Sequence, residues 1–261
     1  MELEKLIFSD EKIEKFCDVT KDFNNLHSPK YMKKKNKKTI VPGMYSIAFT
    51  ISQFKKYLYF FNSVKINLGS MIFSDDFIKP NVKLYDNEKL PICVYNSLGN
   101  DIFKKENNIS YFFNKANLDE NLSGDKKSIL IKNDDLNVYS NLIKTKNTNL
   151  VKTLYSISYS SKILLDYLNN TNEKFNDVSL IFEKKDVLPV YNSFDINLEN
   201  GFFLKINNNL DYIVNFEKVS KRNVNARVDC YSENNKIFSA KYDIFAVPEK
   251  IILRMVKNLE N

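Results

Sequence analysis

An internal repeat constrains the fold of this 261-residue chain more than any other feature of its sequence. The segment "YSIAFTISQFKKYL" begins at Tyr45, and "YSISYSSKILLDYL" begins at Tyr155, an offset of 110 residues. Further along, "SMIFSDDFIKP" from Ser70 is matched by "SLIFEKKDVLP" from Ser179, an offset of 109 residues. Two matches in the same order, at nearly one offset, indicate a duplicated structural unit.

Each unit is predicted to contain one long helix followed by about five strands. In the first unit Ile47, Ile51, Phe54 and Leu58 recur at steps of three and four residues, as in a helix with one buried face. The predicted strands are "SVKINL", "SMIF", "NVKLY", "LPICVY" and "NISYFF" in the first unit, and "VSLIFE", "GFFLKI", "DYIVNFE", "NVNARVDCY" and "KIFSAKYDIF" in the second. This order predicts an α+β fold in which a bent antiparallel sheet wraps a central helix in each unit.

The boundary between the units is expected near residue 120. We predict a first unit at 1–120 and, at 121–261, a polar connector followed by the second unit. The two units could then pair their sheets edge to edge.

The net positive charge of the chain allows two interpretations of its surface. Lys and Arg number 39 against 32 Asp and Glu, a net charge of +7. That charge fits an anionic partner, such as a nucleotide-bearing cofactor or an acidic carrier protein, and equally a solvated basic surface. The run "KKKNKK" at 33–38 leaves the same two interpretations open. No zinc-finger or RNP-like motif indicates nucleic-acid binding.

Targeting and redox signals are also informative. The N-terminus lacks the apolar core of a signal peptide, and no segment has the roughly 18–20 apolar residues of a membrane span. Cys17, Cys93 and Cys230 are widely spaced, as expected for reduced thiols in a cytoplasmic protein. One histidine and three scattered cysteines argue against a zinc or iron–sulfur site.

The single histidine lies in a polar loop before the first long helix. The segment "FSDEKIEKFCDVT" predicts a short helix capped by Ser9 or Asp10, and "KDFNNLHSP" ends it. "VPGM" at 41–44 predicts the start of the long helix, whose first amides attract negative charge. A loop with Asp22 and His27 therefore precedes a helix end that can stabilise an oxyanion, a combination suited to chemistry at an activated carbonyl.

Within residues 16–46, the pattern F-x-x-x-T-K-D-F-N-N-L-H, followed by T-I-V-P-G-M-Y-S, resembles the MaoC-like, (R)-specific enoyl-CoA hydratase family. The later "FIKPNVKLYDNEKL" is similar to a Lys-Pro strand of that family. Lys21, Asn25 and Pro42 stand where the family usually has Gly, Pro and His. The resemblance implies a double hot-dog fold, in which two units in one chain each wrap a sheet around a helix.

The resemblance also implies an activity. The family interconverts trans-2-enoyl and (R)-3-hydroxyacyl thioesters, a hydratase or dehydratase reaction. By position, Asp22 and His27 would be the acid–base pair, Asn24 would brace the loop, the Gly43 N–H would bind the thioester oxygen, and Ser46 would lie near the substrate. No metal or redox cofactor is expected, since coenzyme A or phosphopantetheine is part of the substrate. An acyl carrier protein is a possible partner, and the chain would be a monomer of two units or a homodimer.

Two other functions remain open at this point. The same fold supports thioester hydrolysis, and it also supports a non-catalytic subunit that binds acyl thioesters. At the offset of 110, Lys132 and Asn137 of "KNDDLN" stand opposite Asp22 and His27. We therefore predict one active unit and one degenerate unit.

Overall fold

The structure is a computed structural model and describes residues 6–68, 71–82, 90–97, 109–114, 120–170, 187–219 and 222–260. Its helices are α1 (Asp10–Thr20), α2 (Pro29–Lys34), α3 (Gly43–Gln53), α4 (Asn133–Leu142), α5 (Thr148–Asn170) and α6 (Glu249–Glu260). Its strands are β1 (Leu6–Ile7), β2 (Ser63–Leu68), β3 (Phe77–Val82), β4 (Leu90–Ser97), β5 (Ile109–Asn114), β6 (Lys127–Leu130), β7 (Val187–Leu198), β8 (Asn209–Val219), β9 (Asn223–Ser232) and β10 (Asn235–Pro248). Two 3₁₀ turns span Asn25–His27 and Leu58–Phe60.

The ten strands form one antiparallel sheet in the order β1-β3-β4-β5-β2-β7-β10-β9-β8-β6. This order is symmetric about its centre, where β2 pairs with β7 and Ile66 lies opposite Phe194. Each half of the sheet has the same internal arrangement, so β1 corresponds to β6 and β2 to β7. The expected edge-to-edge pairing of two sheets is confirmed.

About five strands were predicted after each long helix, and one of them, "VSLIFE", lies outside the described residues. Within the described residues, four strands follow the long helix of each half, and the fifth, β1 or β6, precedes it. The predicted boundary near residue 120 falls between β5 and β6, and we keep that division of the chain as a proposal.

Most of the predicted strands lie where the sequence placed them, and two do not. "GFFLKI" forms a turn and coil rather than a strand, because Gly201 adopts a positive φ of 77° and breaks the extended run. "SMIF" contributes only an isolated bridge from Phe73 to Ile40. "VSLIFE" and most of "NVKLY" lie outside the described residues.

The two sequence matches differ in their structural meaning. Tyr45 and Tyr155 lie on α3 and α5, which are equivalent helices of the two halves. The second match, however, joins Pro80 of β3 to Pro189 of β7, and these strands occupy different places in the sheet. A constant offset therefore does not describe the duplication residue by residue.

The two long helices form the centre of the core. Every residue from Met44 to Ser52 of α3 is buried, so the helix is surrounded on all sides. It ends at Gln53, earlier than predicted, and Leu58 lies in the following 3₁₀ turn. α5 packs against α3, β8 and β9, and its apolar side chains at helical spacing are buried. These are Leu154, Ile157, Ile163, Leu164 and Leu168.

α1 precedes the loop that carries Asp22 and His27, and its cap matches the prediction. The Ser9 hydroxyl oxygen accepts a hydrogen bond from the Lys12 amide at 3.4 Å, and Ile13, Phe16 and Cys17 form the buried face. A side-chain cap satisfies one of the amides that a helix start leaves without an intrahelical partner.

Replacing Ser9 by Ala should lower the free energy of unfolding by about 0.5–2 kcal/mol, because the cap acceptor is lost. Urea denaturation of the wild type and variant measures this difference. Ser9→Asn is the control, since Asn also caps helices and should retain most of the stability. Equal losses in the Ala and Asn variants would show that capping is not the cause.

Candidate active site

Asp22 is turned into the protein by the way α1 ends. Lys21 adopts the left-handed conformation, with φ 60° and ψ 29°, and the Asp22 amide then donates to the Cys17 carbonyl at 3.1 Å. This is a usual helix end, at which glycine is common because it has no Cβ. This left-handed conformation accounts for the glycine that the family usually has at this position. Here Lys21 adopts it instead. Asp22 is 7% exposed as a result.

Asn24 organises the turn between the two predicted catalytic residues. Its side-chain Oδ1 accepts from the Leu26 amide at 3.1 Å, while its own amide donates to Asp22 Oδ1 at 3.4 Å. Its carbonyl accepts from the His27 amide at 2.9 Å. Asn25 is the first residue of this 3₁₀ turn, a position where proline and asparagine are both compatible because the amide has no partner within the turn.

The His27 ring is held by one strong contact. Its Nδ1 lies 2.7 Å from the Ile40 carbonyl oxygen. A carbonyl only accepts, so Nδ1 carries a proton and Nε2 of the neutral ring is an acceptor. Nε2 lies 3.9 Å from Asp22 Oδ2, and the two side chains are 13% and 9% exposed. This separation exceeds a hydrogen bond and is suited to a bridging water.

The chain then runs from Ile40, whose carbonyl accepts from His27, into the start of α3. Ile40 lies three residues before Gly43, so the two are within about 10 Å of each other. Pro42 is the N-cap residue, with φ −54° and ψ 129°, and Gly43 is the first helical residue. The amides at this position have no acceptor within the helix. A Cβ added at Gly43 would approach Leu68 Cδ1 to 3.2 Å.

Ser46 is placed differently from the other predicted site residues. It is 1% exposed, and its hydroxyl donates to the Gly43 carbonyl within the first turn of α3 at 2.8 Å. It therefore braces the helix start. Asp22, Asn24 and His27 are close together, and Gly43 follows within the same segment of chain.

One contributor, the Ile40 carbonyl, has no signal in the sequence, because no side-chain pattern can reveal a backbone acceptor. Tyr191 of β7 lies within electrostatic range of Asp22, and its hydroxyl donates to the Ser161 carbonyl at 3.5 Å. Burial and the nearby Asp22 carboxylate raise the pKa of Tyr191 well above its ordinary value. Tyr191 comes from the other half of the chain, 169 positions after Asp22, and had no local signal.

The second half has no counterpart of this loop. α4 corresponds to α1, and Lys144 after it has a positive φ of 55°, as Lys21 does. Only residues 143–147 then separate α4 from α5, and they include neither Asp nor His. The pairing of Lys132 and Asn137 with Asp22 and His27 was therefore wrong, because Lys132 is the N-cap of α4 and Asn137 lies within that helix.

Within the part of the chain that the structure describes, no three His, Cys, Asp or Glu side chains are grouped as metal ligands. No helix among the same residues is both long and apolar enough to cross a membrane.

Comparison with solved structures identifies the fold. A MaoC-like dehydratase superposes with a TM-score of 0.56 at 7% identity, over 94% of this chain and 96% of that one. A MaoC domain protein from Chloroflexus aurantiacus J-10-fl gives 0.59 at 8% identity, over 94% and 93%. The dehydratase-cyclase domain of ambruticin biosynthesis gives 0.59 at 8% identity, over 84% and 86%. The sequence itself matches no family model and no curated protein.

The chain therefore has the α+β double hot-dog fold of MaoC-like proteins. The predicted fold class is confirmed, and the resemblance to MaoC-like proteins is confirmed at the level of the fold.

Proposed function

We propose that the protein is a hydratase or dehydratase that interconverts trans-2-enoyl and (R)-3-hydroxyacyl thioesters. Asp22 and His27 form its acid–base pair, and the Gly43 amide binds the thioester oxygen. The acyl group is carried on coenzyme A or on the phosphopantetheine of an acyl carrier protein.

One observation carries this proposal. His27 donates from Nδ1 to Ile40 and presents Nε2 toward Asp22 Oδ2 across 3.9 Å, and both side chains are largely buried. Two acceptor atoms at this separation can together hold one water molecule, which donates a proton to each. General acid–base catalysis requires such a proton acceptor within reach of the reacting water.

The hydration reaction follows from this arrangement. The bound water gives a proton to His27 Nε2 as its oxygen forms a bond to the β-carbon of the enoyl group. The electrons of the double bond move onto the thioester oxygen, where the N–H at the start of α3 stabilises the negative charge. The proton on Nε2 is then transferred to the α-carbon, and dehydration is the reverse sequence.

The test is hydration of crotonyl-CoA, followed by loss of the conjugated enoyl-thioester absorbance and by identification of the 3-hydroxyacyl product. The same acyl group on a carrier protein, in parallel, shows which carrier is used. Release of free thiol without hydration would identify a thioesterase. Binding of acyl-CoA without turnover by a folded protein would identify a binding subunit, and either result would overturn the proposal.

The role of the Gly43 amide can be isolated by two substitutions at one position. Gly43→Pro removes the N–H, and proline is tolerated at the first position of a helix. Pro42 already has the extended ψ of 129° that a following proline requires. We expect kcat to fall by about 10²- to 10³-fold, the usual effect of losing one oxyanion donor.

Gly43→Ala is the matched control. It introduces the same contact with Leu68 at 3.2 Å and retains the N–H. Steady-state kinetics of both variants should therefore give a much smaller loss for Ala than for Pro. Similar losses in the two variants would assign the effect to the Leu68 contact.

A further inference from the structure

The C-terminal helix α6, which follows the last strand of the second half, packs onto the loop of the first half that carries His27. Ile252 and Val256 of α6 are both 0% exposed. They belong to one buried cluster with four residues of the first half, which are Leu26, Met32, Ile40 and Phe73. This cluster is separate from the main core, and α6 provides two of its six buried members.

Two members of the cluster, Leu26 and Ile40, belong to the hydrogen-bonded backbone that positions the His27 ring. Leu26 immediately precedes His27, and its carbonyl accepts from the Ile40 amide at 3.0 Å. Ile40 in turn supplies the carbonyl that accepts from His27 Nδ1 at 2.7 Å. The apolar side chains of Leu26 and Ile40 are thus fixed in the cluster, and their backbone fixes the ring.

A polar contact joins the same two elements. The Tyr31 hydroxyl on α2 donates to the Glu249 carboxylate at the first residue of α6. This carboxylate and partial burial raise the pKa of Tyr31 to about 12. α6 is therefore attached to the His27 loop at its first turn by a hydrogen bond and further along by apolar packing.

We propose that α6 is a positioning element for His27. Its buried face holds Leu26 and Ile40 so that the Ile40 carbonyl keeps the proton on Nδ1 and leaves Nε2 facing Asp22. The inference deepens the proposed function and rests on it for its catalytic consequence. It also gives the second half a part in the reaction without a catalytic group of its own.

The single histidine makes a direct test possible, because every imidazole signal of the protein belongs to His27. In ¹⁵N-labelled protein, the shifts of the two ring nitrogens report which one carries the proton. The wild type should show the Nδ1–H tautomer. The variant Ile252→Ala/Val256→Ala should show a mixture of tautomers, because the Ile40 carbonyl is no longer held.

The matched control lies on an exposed side of the same helix, about 100° around from the buried face. Ile251 and Met255 have the same spacing and are each 47% exposed. Ile251→Ala/Met255→Ala should leave the tautomer and the kinetics unchanged. Should the buried-face variant fail to fold, Tyr31→Phe removes only the hydroxyl that contacts Glu249 and should shift the tautomer in the same direction.

Kinetics provide the second readout. For the buried-face variant, kcat should fall by about 10- to 100-fold, because a small displacement of a catalytic group is costly. KM should change by less than about twofold, since the contact does not bind substrate.

Persistence of the Nδ1–H tautomer and of kcat in folded Ile252→Ala/Val256→Ala would show that α6 only stabilises the fold, and would overturn the inference. The tautomer is measured without substrate. A wild type without hydration activity but with the predicted tautomer shift would therefore overturn the proposed function and leave the positioning role intact.

Discussion

Replacing His27 by Gln should lower kcat/KM for enoyl-thioester hydration by about 10²- to 10⁴-fold, the range expected for loss of a general acid–base group. Gln can still donate toward Ile40, and it cannot accept and return a proton as Nε2 does. Asp22→Asn should cause a loss of similar size, since the water between the two side chains then loses its charged acceptor. Steady-state kinetics with crotonyl-CoA measure both effects.

The double variant tests whether the two residues act as one unit. Groups that act together are strongly non-additive, so the double variant should be about as impaired as the worse single variant. Additive losses would indicate two independent roles and contradict a shared water. Asn25→Ala is the control, because Asn25 lies in the same turn with an exposed side chain and no role in the reaction. Thermal unfolding of each variant separates loss of chemistry from loss of fold.

The site could be predicted in part because most of it is local. Asp22, Asn24 and His27 lie within six consecutive residues, so the motif that they form is recognisable in the sequence alone. The hydrogen bond that fixes the ring is not recognisable there, because its acceptor is a backbone atom. The role of α6 was missed for another reason, since this helix reaches the His27 loop from the second half through tertiary packing.

In the fold, too, features set by neighbouring residues were predicted, whereas features set by tertiary packing were not. The start of α1 at Asp10 follows from its Ser9 cap, and the start of α3 at Gly43 coincides with the Pro42-Gly43 pair; both were predicted. α6 also has a recognisable pattern, with Ile252, Leu253 and Val256 at helical spacing, which the sequence analysis passed over.

The register of the duplication could not be obtained from sequence. Residues 21–42 separate α1 from α3, whereas only 143–147 separate α4 from α5. Because of this insertion in the first half, the residue offset between α1 and α4 differs from the offset between α3 and α5. An alignment made on the long helices α3 and α5 therefore misaligns the shorter helices α1 and α4. The same insertion contains both Asp22 and His27, and its absence from the second half is why only one candidate site is present among the described residues.

A second large effect is expected on the other half of the sheet, where a buried charge cluster joins β9 to β10. Asp229 has a fully buried side chain, and its two carboxylate oxygens accept from Arg227 Nε at 2.9 Å and Arg227 Nη2 at 3.0 Å. Lys236 Nζ lies 2.8 Å from Asp229 Oδ2. The cluster also holds the connector, because Leu122 donates its amide to Asp229 Oδ2 at 3.1 Å.

Asp229→Asn should lower the free energy of unfolding by about 3–5 kcal/mol, the usual cost of removing one partner from a buried ion pair. The substitution keeps the shape of the side chain and leaves Arg227 and Lys236 close together without this carboxylate. Denaturant unfolding measures the loss. Limited proteolysis should also show faster cleavage within 120–126, because the amide of Leu122 loses its charged acceptor.

The pH dependence of the free energy of unfolding should show the contribution of Asp229. Burial alone would raise the pKa of Asp229, but hydrogen bonds from Arg227, Lys236 and Ser239 outweigh it and hold the pKa below its ordinary value. A lowered pKa in the folded state means that the stabilisation is complete above the pKa of the unfolded chain. It is lost as the pH falls through the folded value. Asp229→Asn should therefore flatten the stability profile below about pH 4.

Two controls decide whether burial is the cause. Lys15→Gln breaks the pair with Glu11 on the surface of α1, where both side chains are more than half exposed, and should leave the unfolding curve unchanged. Replacing Arg227, Asp229 and Lys236 together by apolar residues should restore much of the stability, because the cost of Asp229→Asn comes from the uncompensated cations. An apolar triple variant as unstable as Asp229→Asn would contradict this explanation. The loss would then come from the charged acceptor of the Leu122 amide, which both variants remove.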